Sequence, residues 1–533
     1  MDKSVQGIPR PPFFLNRSQA FLFLGLLAAV FIRLYFFIGL NFADDTWYVF
    51  LANQILEGNF HAGDIGGLRL MMIFPLALSF KFFGISNASA VLYPFLCSLG
   101  TIGIAYAIGK LLFDLRTAHL AIILMTVYPL NVIYATWIMP DVPVDFFLGL
   151  SVLLFLSAYK MRFSLAFKRK RLLLWLSGLF IGVAYLANVR SLVVFFALGP
   201  WAIVWLFKEK GNKVRLRRTF FSLVLIVAGF LAIIAAEGLY HWKKSGDIFL
   251  SYKKVAEYYT DKNGFLREGV NNSLNFYPQL MFNRDSRLHF LGLNRPLIYG
   301  LYFYLFLLSI LGLIYFREHK AFIPLWWFVA IFAYLQFGSM SLKEYIPIHR
   351  LDRHLTVVTI PMVLCCAAFL SRMLPERLWP PRLFSRIKTI FVVSLILFFG
   401  CTSVFFTKRI ANDMRAASYD MKAIYRFFKD RPSATIYGDP GVLSHLHFYF
   451  KFQNMERRRN LLTSSLIEPN SYVILNGTRG FIENPNLMKL LPKFGKDPES
   501  SWTLIKVIEG PKVGIYASYD PKIYYVAGSS ADR

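Results

Sequence analysis

The sequence predicts an α-helical polytopic membrane protein with a C-terminal α/β or α+β domain outside the bilayer. Three observations carry that expectation. The 533 residues are 56% hydrophobic and 17% aromatic, with a mean hydropathy of +0.47, a balance common in helical membrane proteins and rare in soluble domains. Apolar windows of about 20 residues, enough to cross roughly 30 Å of hydrocarbon, recur as far as residue 407. Lys and Arg gather in short clusters between them, as they do in cytoplasmic loops. The net charge of +28 therefore marks topology, and nucleic-acid binding is not expected.

The spans follow from these signals in order. Lys3, Arg10 and Arg17 place the N-terminus inside. The first span, 20–40, reads as a retained helix, because no small-residue cleavage site follows it. "LRLMMIFPLALSFKFFG" is too short to cross and contains Pro75 and Lys81, so it reads as a juxtamembrane or re-entrant segment on the outer side. Further spans are expected over 89–109, 118–138, 144–159, 172–187, 191–207, 219–240, 297–315, 321–338, 355–370 and 389–407, about eleven in all. The fifth and sixth form a hairpin with Asn188 and Arg190 at its outer tip. Outer loops then cover 41–88 and 241–296, and the odd count leaves 408–533 outside. There "SATIYGDPG" and "SYVILNGT" read as strands ending in turns, around a helix at "VLSHLHFYFKF". Cys97, Cys365, Cys366 and Cys401 all lie in apolar segments, without metal or disulfide spacing.

This topology gathers acids and bases at one surface. Asp44, Asp45, Asp141 and Asp145 fall there with Arg190, Arg350, Arg353, His349 and His354. A carboxylate can take a proton from an acceptor, contributing ~10²–10⁴-fold to a rate. Arginines can fork onto phosphate oxygens and hold a phosphate leaving group. Plainer roles compete: Asp44, Asp45 or Thr46 can cap the following helix, and Asp141 and Asp145 can cap theirs. Arg350 and Arg353 can reach out to lipid headgroups. Arg33, inside the first span, is either a functional residue or a snorkelling one.

"DDTWYVFLANQILEGN" resembles the first-loop signature of the GT-C glycosyltransferases that use lipid-phosphate sugars, the protein O-mannosyltransferases and lipid A aminoarabinose transferases among them. Asp44, Asp45, Tyr48, Ala52 and Gly58 stand at the signature positions, with Asp45 where Glu is commoner. "YATWIMPDVPVDFF" is similar to the family's second acidic segment, which falls on Asp141. "LANVRS" resembles its basic hairpin, at Arg190. "HRLDRHLTVVTIP" resembles its late arginine segment, with His354 where Tyr is usual.

The resemblance covers about 20–370 and implies a catalytic membrane domain over 1–407, with an extracytoplasmic domain over 408–533. It implies a polyprenyl- or dolichyl-phosphate sugar as donor, a lipid, glycan or protein acceptor, and inversion at the anomeric carbon. Asp44 would be the base, Asp45 its support or the acceptor's guide, and Arg190, Arg353 and Arg350 the phosphate clamp. Tyr48, Arg33, His349 and His354 are secondary candidates. No metal is expected to be required, although Asp44 and Asp141 could share a divalent cation. A bacterial inner or plasma membrane is favoured over the endoplasmic reticulum. A transporter or flippase of lipid-linked sugars is the alternative, but such folds often show paired repeats, and none is apparent here.

Overall fold

The computed structural model describes residues 17–41, 44–161, 167–260, 276–281, 301–339, 345, 348, 350–374, 383–461, 463–464, 466–475, 502–511 and 521–527. Among them nine helices are long and apolar enough to cross a membrane, or ten if one pair bent by 58° counts as a single span. The chain is a multi-pass membrane protein.

The elements follow the expected order. After α1 (Arg17–Tyr35) the acidic loop opens α2 (Asp44–Glu57), and the short apolar helix α3 (Leu70–Phe83) comes next. α4 (Asn87–Leu112) leads to the bent pair α5 (Leu115–Val127) and α6 (Pro129–Ala135). Pro129 explains the bend, because it begins α6 and disfavours helical backbone at Tyr128, which is extended. α7 (Asp141–Lys160) is followed by the hairpin of α8 (Phe167–Ala187) and α9 (Val194–Glu209), then α10 (Lys213–Ser245) and α11 (Leu250–Thr260). After α12 (Phe276–Met281), the apolar helix α13 (Tyr302–Tyr315), only 14 residues long, stands where a span over 297–315 was expected. α14 (Phe322–Phe337), α15 (Thr359–Met373) and α16 (Leu383–Ala417) complete the bundle. α15 is buried along nearly its whole length and forms the central post. α10 and α16 turn many large apolar side chains outward, as lipid-facing helices do.

Two buried devices lock the bundle near the site. Arg33 has no exposed surface and donates to Ser98 Oγ (2.6 Å), Asn131 Oδ1 (2.6 Å), and the Ala29 (3.2 Å) and Thr126 (3.4 Å) carbonyls. It ties α1, α4, α5 and α6 together rather than snorkelling. α8 and α10 cross through glycines: a Cβ on Gly178 would run into the Ile226 carbonyl, and one on Gly229 into that of Trp175. Small residues let helix backbones approach this closely in a membrane.

The tail folds as the sequence reading expected. α17 (Tyr419–Phe428) and α18 (Pro440–Tyr449) pack on a mixed sheet of β1 (Ile436–Gly438), β2 (Arg458–Asn460), β3 (Ser471–Leu475), β4 (Thr503–Val507) and β5 (Lys522–Val526). The strand order is β2-β1-β3-β5-β4. β1 runs parallel to β2 and β3, whereas β5 runs antiparallel to β3 and β4. Ile424, Phe428, Ile436, Leu446, Ile474 and Ile523 fill its core. This unit sits on the bundle: Phe448 packs near Phe80 and Phe452 near Phe50, and Arg415 near the end of α16 donates to the Phe37 (3.0 Å) and Tyr35 (2.6 Å) carbonyls at the end of α1.

Candidate active site

The site is assembled by short segments at one end of the bundle. The stretch between α1 and α2 is pinned first. Gly39 takes a positive φ of 80° that other residues resist, and its N–H donates to the Thr136 carbonyl at 3.0 Å. Leu40 N donates to Asn87 Oδ1 at 2.9 Å. Asn41 N donates to Asp45 Oδ2, while the Asn41 carbonyl accepts from His445 of α18. Through His445 the C-terminal domain thus reaches the residue that holds Asp45.

The two adjacent aspartates have different duties. Asp45 is fully buried, with Oδ1 accepting from Thr46 N at 3.0 Å. Burial pushes its carboxyl up to about 8, against the pull of the Asn41 and Thr46 N–H groups. Asp44 keeps 42% of its side chain exposed. Its Oδ2 lies 3.2 Å from Arg353 Nη2 and 3.7 Å from Arg69 Nη1. Arg353, on the 3-10 turn Asp352–Val358 that leads into α15, also sets Nε 3.8 Å from Asp141 Oδ2 and Nη1 3.0 Å from Met139 Sδ. One guanidinium thus lies beside both Asp44 and Asp141. Among the described residues no group of three or more His, Cys, Asp or Glu side chains is arranged to hold a metal ion.

Arg190 enters from the 3-10 turn Val189–Val193, whose start is capped by Asn188 accepting from Arg190 N at 3.1 Å. Its guanidinium meets His354 Nε2, which must be the accepting nitrogen because a guanidinium only donates. The other ring nitrogen of His354 lies 3.2 Å from Leu351 N and 3.5 Å from the Tyr277 hydroxyl. Buried on both sides, His354 orients Arg190. The charges of Arg353, Arg69 and Arg190 all bear on Asp141. The guanidiniums of Arg353, Arg69 and Arg190 gather around the carboxylates of Asp44 and Asp141 and offer donors that suit an anionic group.

The remaining sequence candidates are placed elsewhere. Arg350 is fully buried and donates to the Gln336 carbonyl at 2.7 Å, fixing the end of α14. Arg33 holds the bundle, and none of the partners named above belongs to the site. His349 lies outside the described residues. Asp145, one turn along α7 from Asp141, is buried with no hydrogen-bond partner on either carboxylate oxygen. Tyr48 is buried, and its hydroxyl accepts from Arg69, whose guanidinium also lies 5.5 Å from the Tyr48 ring centre. Arg69 is the residue at this site that the sequence reading missed. It stands just before α3, a single basic residue in a loop with no motif of its own.

Beside the arginines a small open cleft is lined by Arg69, Arg190, Asn188, Tyr185, Glu237 and Ser251 among others.

Comparison with known proteins bears on this arrangement. Residues 69–237 match the family model described as dolichyl-phosphate-mannose-protein mannosyltransferase. No curated protein matches the sequence at a significant level. In structure, the chain is similar to ArnT from Cupriavidus metallidurans bound to undecaprenyl phosphate, with a TM-score of 0.63 and 13% identity over 96% of this chain and 99% of that one. The Archaeoglobus fulgidus oligosaccharyltransferase, tethered to an acceptor peptide, superposes with a TM-score of 0.53 and 13% identity over 91% of this chain and 72% of that one. The chain has the GT-C fold. In this fold the acids from the α1–α2 loop and the start of α7 meet the arginines preceding α3, α9 and α15.

Proposed function

We propose that this GT-C chain is an inverting glycosyltransferase that moves a sugar from a polyprenyl- or dolichyl-phosphate donor to an acceptor at the extracytoplasmic or lumenal face. The observation that carries the reading is Asp44, a solvent-open carboxylate held between Arg69 and Arg353 while Asp45, Asp141 and Asp145 are buried. Of these acids it is the one an acceptor can reach. The family model, and the undecaprenyl phosphate bound in the structurally similar ArnT, support the donor class. The basic clusters along the sequence support a site on the outer face.

The chemistry is a single displacement. An acceptor hydroxyl or amine gives its proton to Asp44 as its oxygen or nitrogen attacks the anomeric carbon. The bond from that carbon to the phosphate oxygen breaks, and the electron pair leaves with the lipid phosphate. Arg353, Arg69 and Arg190 meet the charge that develops there, as fixed donors do when aimed at a leaving group. Asp45 and Asp141 hold the frame, and no metal is required in this scheme. The acceptor is a lipid, a glycan or a protein.

Purified protein in nanodiscs, given polyprenyl-phosphate sugars and acceptors extracted from its own membrane, tests the reading. Release of polyprenyl phosphate with an inverted anomeric bond in the product is expected. Movement of intact donor across the bilayer without bond cleavage would assign transport instead.

A further inference from the structure

We infer that the cleft beside the arginines seats the donor's sugar, and that Glu237 is the residue that reads it; this rests on the function proposed above. Glu237 projects from α10, inside a segment otherwise apolar enough to cross a membrane. A carboxylate buried there is costly and marks a functional site by default. It is 6% exposed, and its Oε1 accepts from Ser251 Oγ on α11 at 2.7 Å, with His241 Nε2 3.9 Å away.

The two lining groups present one kind of chemistry. The Glu237 Oε1 accepts a hydrogen bond from Ser251, and Ser251, whose hydroxyl is spent on Glu237, offers lone pairs. That wall repels a phosphate and welcomes hydroxyl or ammonium donors. Arg69 and Arg190 line the same cleft and offer the opposite chemistry. Leu68, Tyr185, Val189 and Val255 supply apolar and aromatic surface between them, which suits the C–H face of a sugar ring. A ligand that satisfies both polar ends has an anionic group and a ring rich in hydrogen-bond donors, which describes a sugar borne on a phosphate. The glycine crossing of α8 and α10 makes the spacing rigid, since Arg190 follows α8 directly and Glu237 rides on α10.

Binding to the full chain in nanodiscs separates this role from a merely structural one. The probes are bare undecaprenyl phosphate and undecaprenyl phosphates bearing a neutral hexose, a pentose, an N-acetylhexosamine or an amino sugar. At least one sugar-bearing probe is expected to bind the wild type more tightly than the bare lipid. Glu237→Gln should cut that gain by about tenfold, as expected for loss of a charged hydrogen bond, and leave bare undecaprenyl phosphate unchanged. Glu237→Asp should retain part of the gain, and Arg69→Ala should weaken every probe. A loss confined to amino sugars assigns an ammonium to Glu237, and a loss on neutral sugars assigns a hydroxyl. Equal weakening of bare and glycosylated lipids by Glu237→Gln, or no change in either, would overturn the inference. So would a wild type that binds every probe alike. A wild type that binds none, bare lipid included, would instead remove the proposed function itself.

Discussion

Arg353 holds two carboxylates that lie 97 positions apart in sequence (141 − 44): its Nη2 is 3.2 Å from Asp44 and its Nε 3.8 Å from Asp141. A planar guanidinium can span both, whereas a lysine ammonium is a point charge that serves one. Arg353→Lys should therefore keep the fold and lose part of the activity. Arg353→Ala should cost about 10²–10³-fold in kcat, the range seen when one fixed donor to a developing anion is removed. Steady-state kinetics on both variants check this, and a Lys variant with full activity would show that bridging is dispensable.

His354 acts through Arg190 and not on substrate. Removing it as His354→Ala leaves the guanidinium without its acceptor and should raise KM for the donor by about tenfold, with a smaller change in kcat. His354→Gln, whose amide oxygen can accept from Arg190, should recover part of the loss. A fall in kcat alone would place His354 in the chemical step instead.

The first loop was legible from its residues because the chemistry is written in adjacent positions: two acids, then the apolar face of α2 with Tyr48, Leu51 and Ala52 all buried. Which acid stays open was not legible, because it depends on whether Asn41 N–H turns toward Asp45. Arg350 and Arg353 look equivalent in sequence. They part only because Arg353 lies in the 3-10 turn facing Asp44 while Arg350 precedes it and is drawn to the Gln336 carbonyl. Arg69 and Glu237 carry no pattern, and their meaning comes from what packs beside them in the fold.

Asp45 makes stability depend on pH. Its carboxyl is pushed up to about 8 in the folded chain, against roughly 4 when unfolded. The folded state therefore holds a proton that the unfolded state has lost, and stability falls as pH rises between about 4 and 8. Thermal unfolding in detergent should show a steeper decline from pH 5.5 to 8 for the wild type than for Asp45→Asn. Parallel declines would assign the pH dependence to another group.

Arg33 is a bundle lock with four buried acceptors. Arg33→Ala leaves Ser98 and Asn131 short of a donor and should lower stability by about 1–3 kcal/mol. The donor KM of the surviving folded fraction should be unchanged. An altered KM at unchanged melting temperature would move Arg33 into the binding site.

The most direct measurement compares Asp44→Asn with the wild type in two assays on the same nanodisc preparation, donor binding and single-turnover sugar transfer. Asparagine has nearly the same shape as aspartate but cannot take the acceptor's proton. Binding of the polyprenyl-phosphate sugar should persist while the transfer rate falls by at least ~10²-fold. Transfer at the wild-type rate would contradict the assignment of Asp44 as the base.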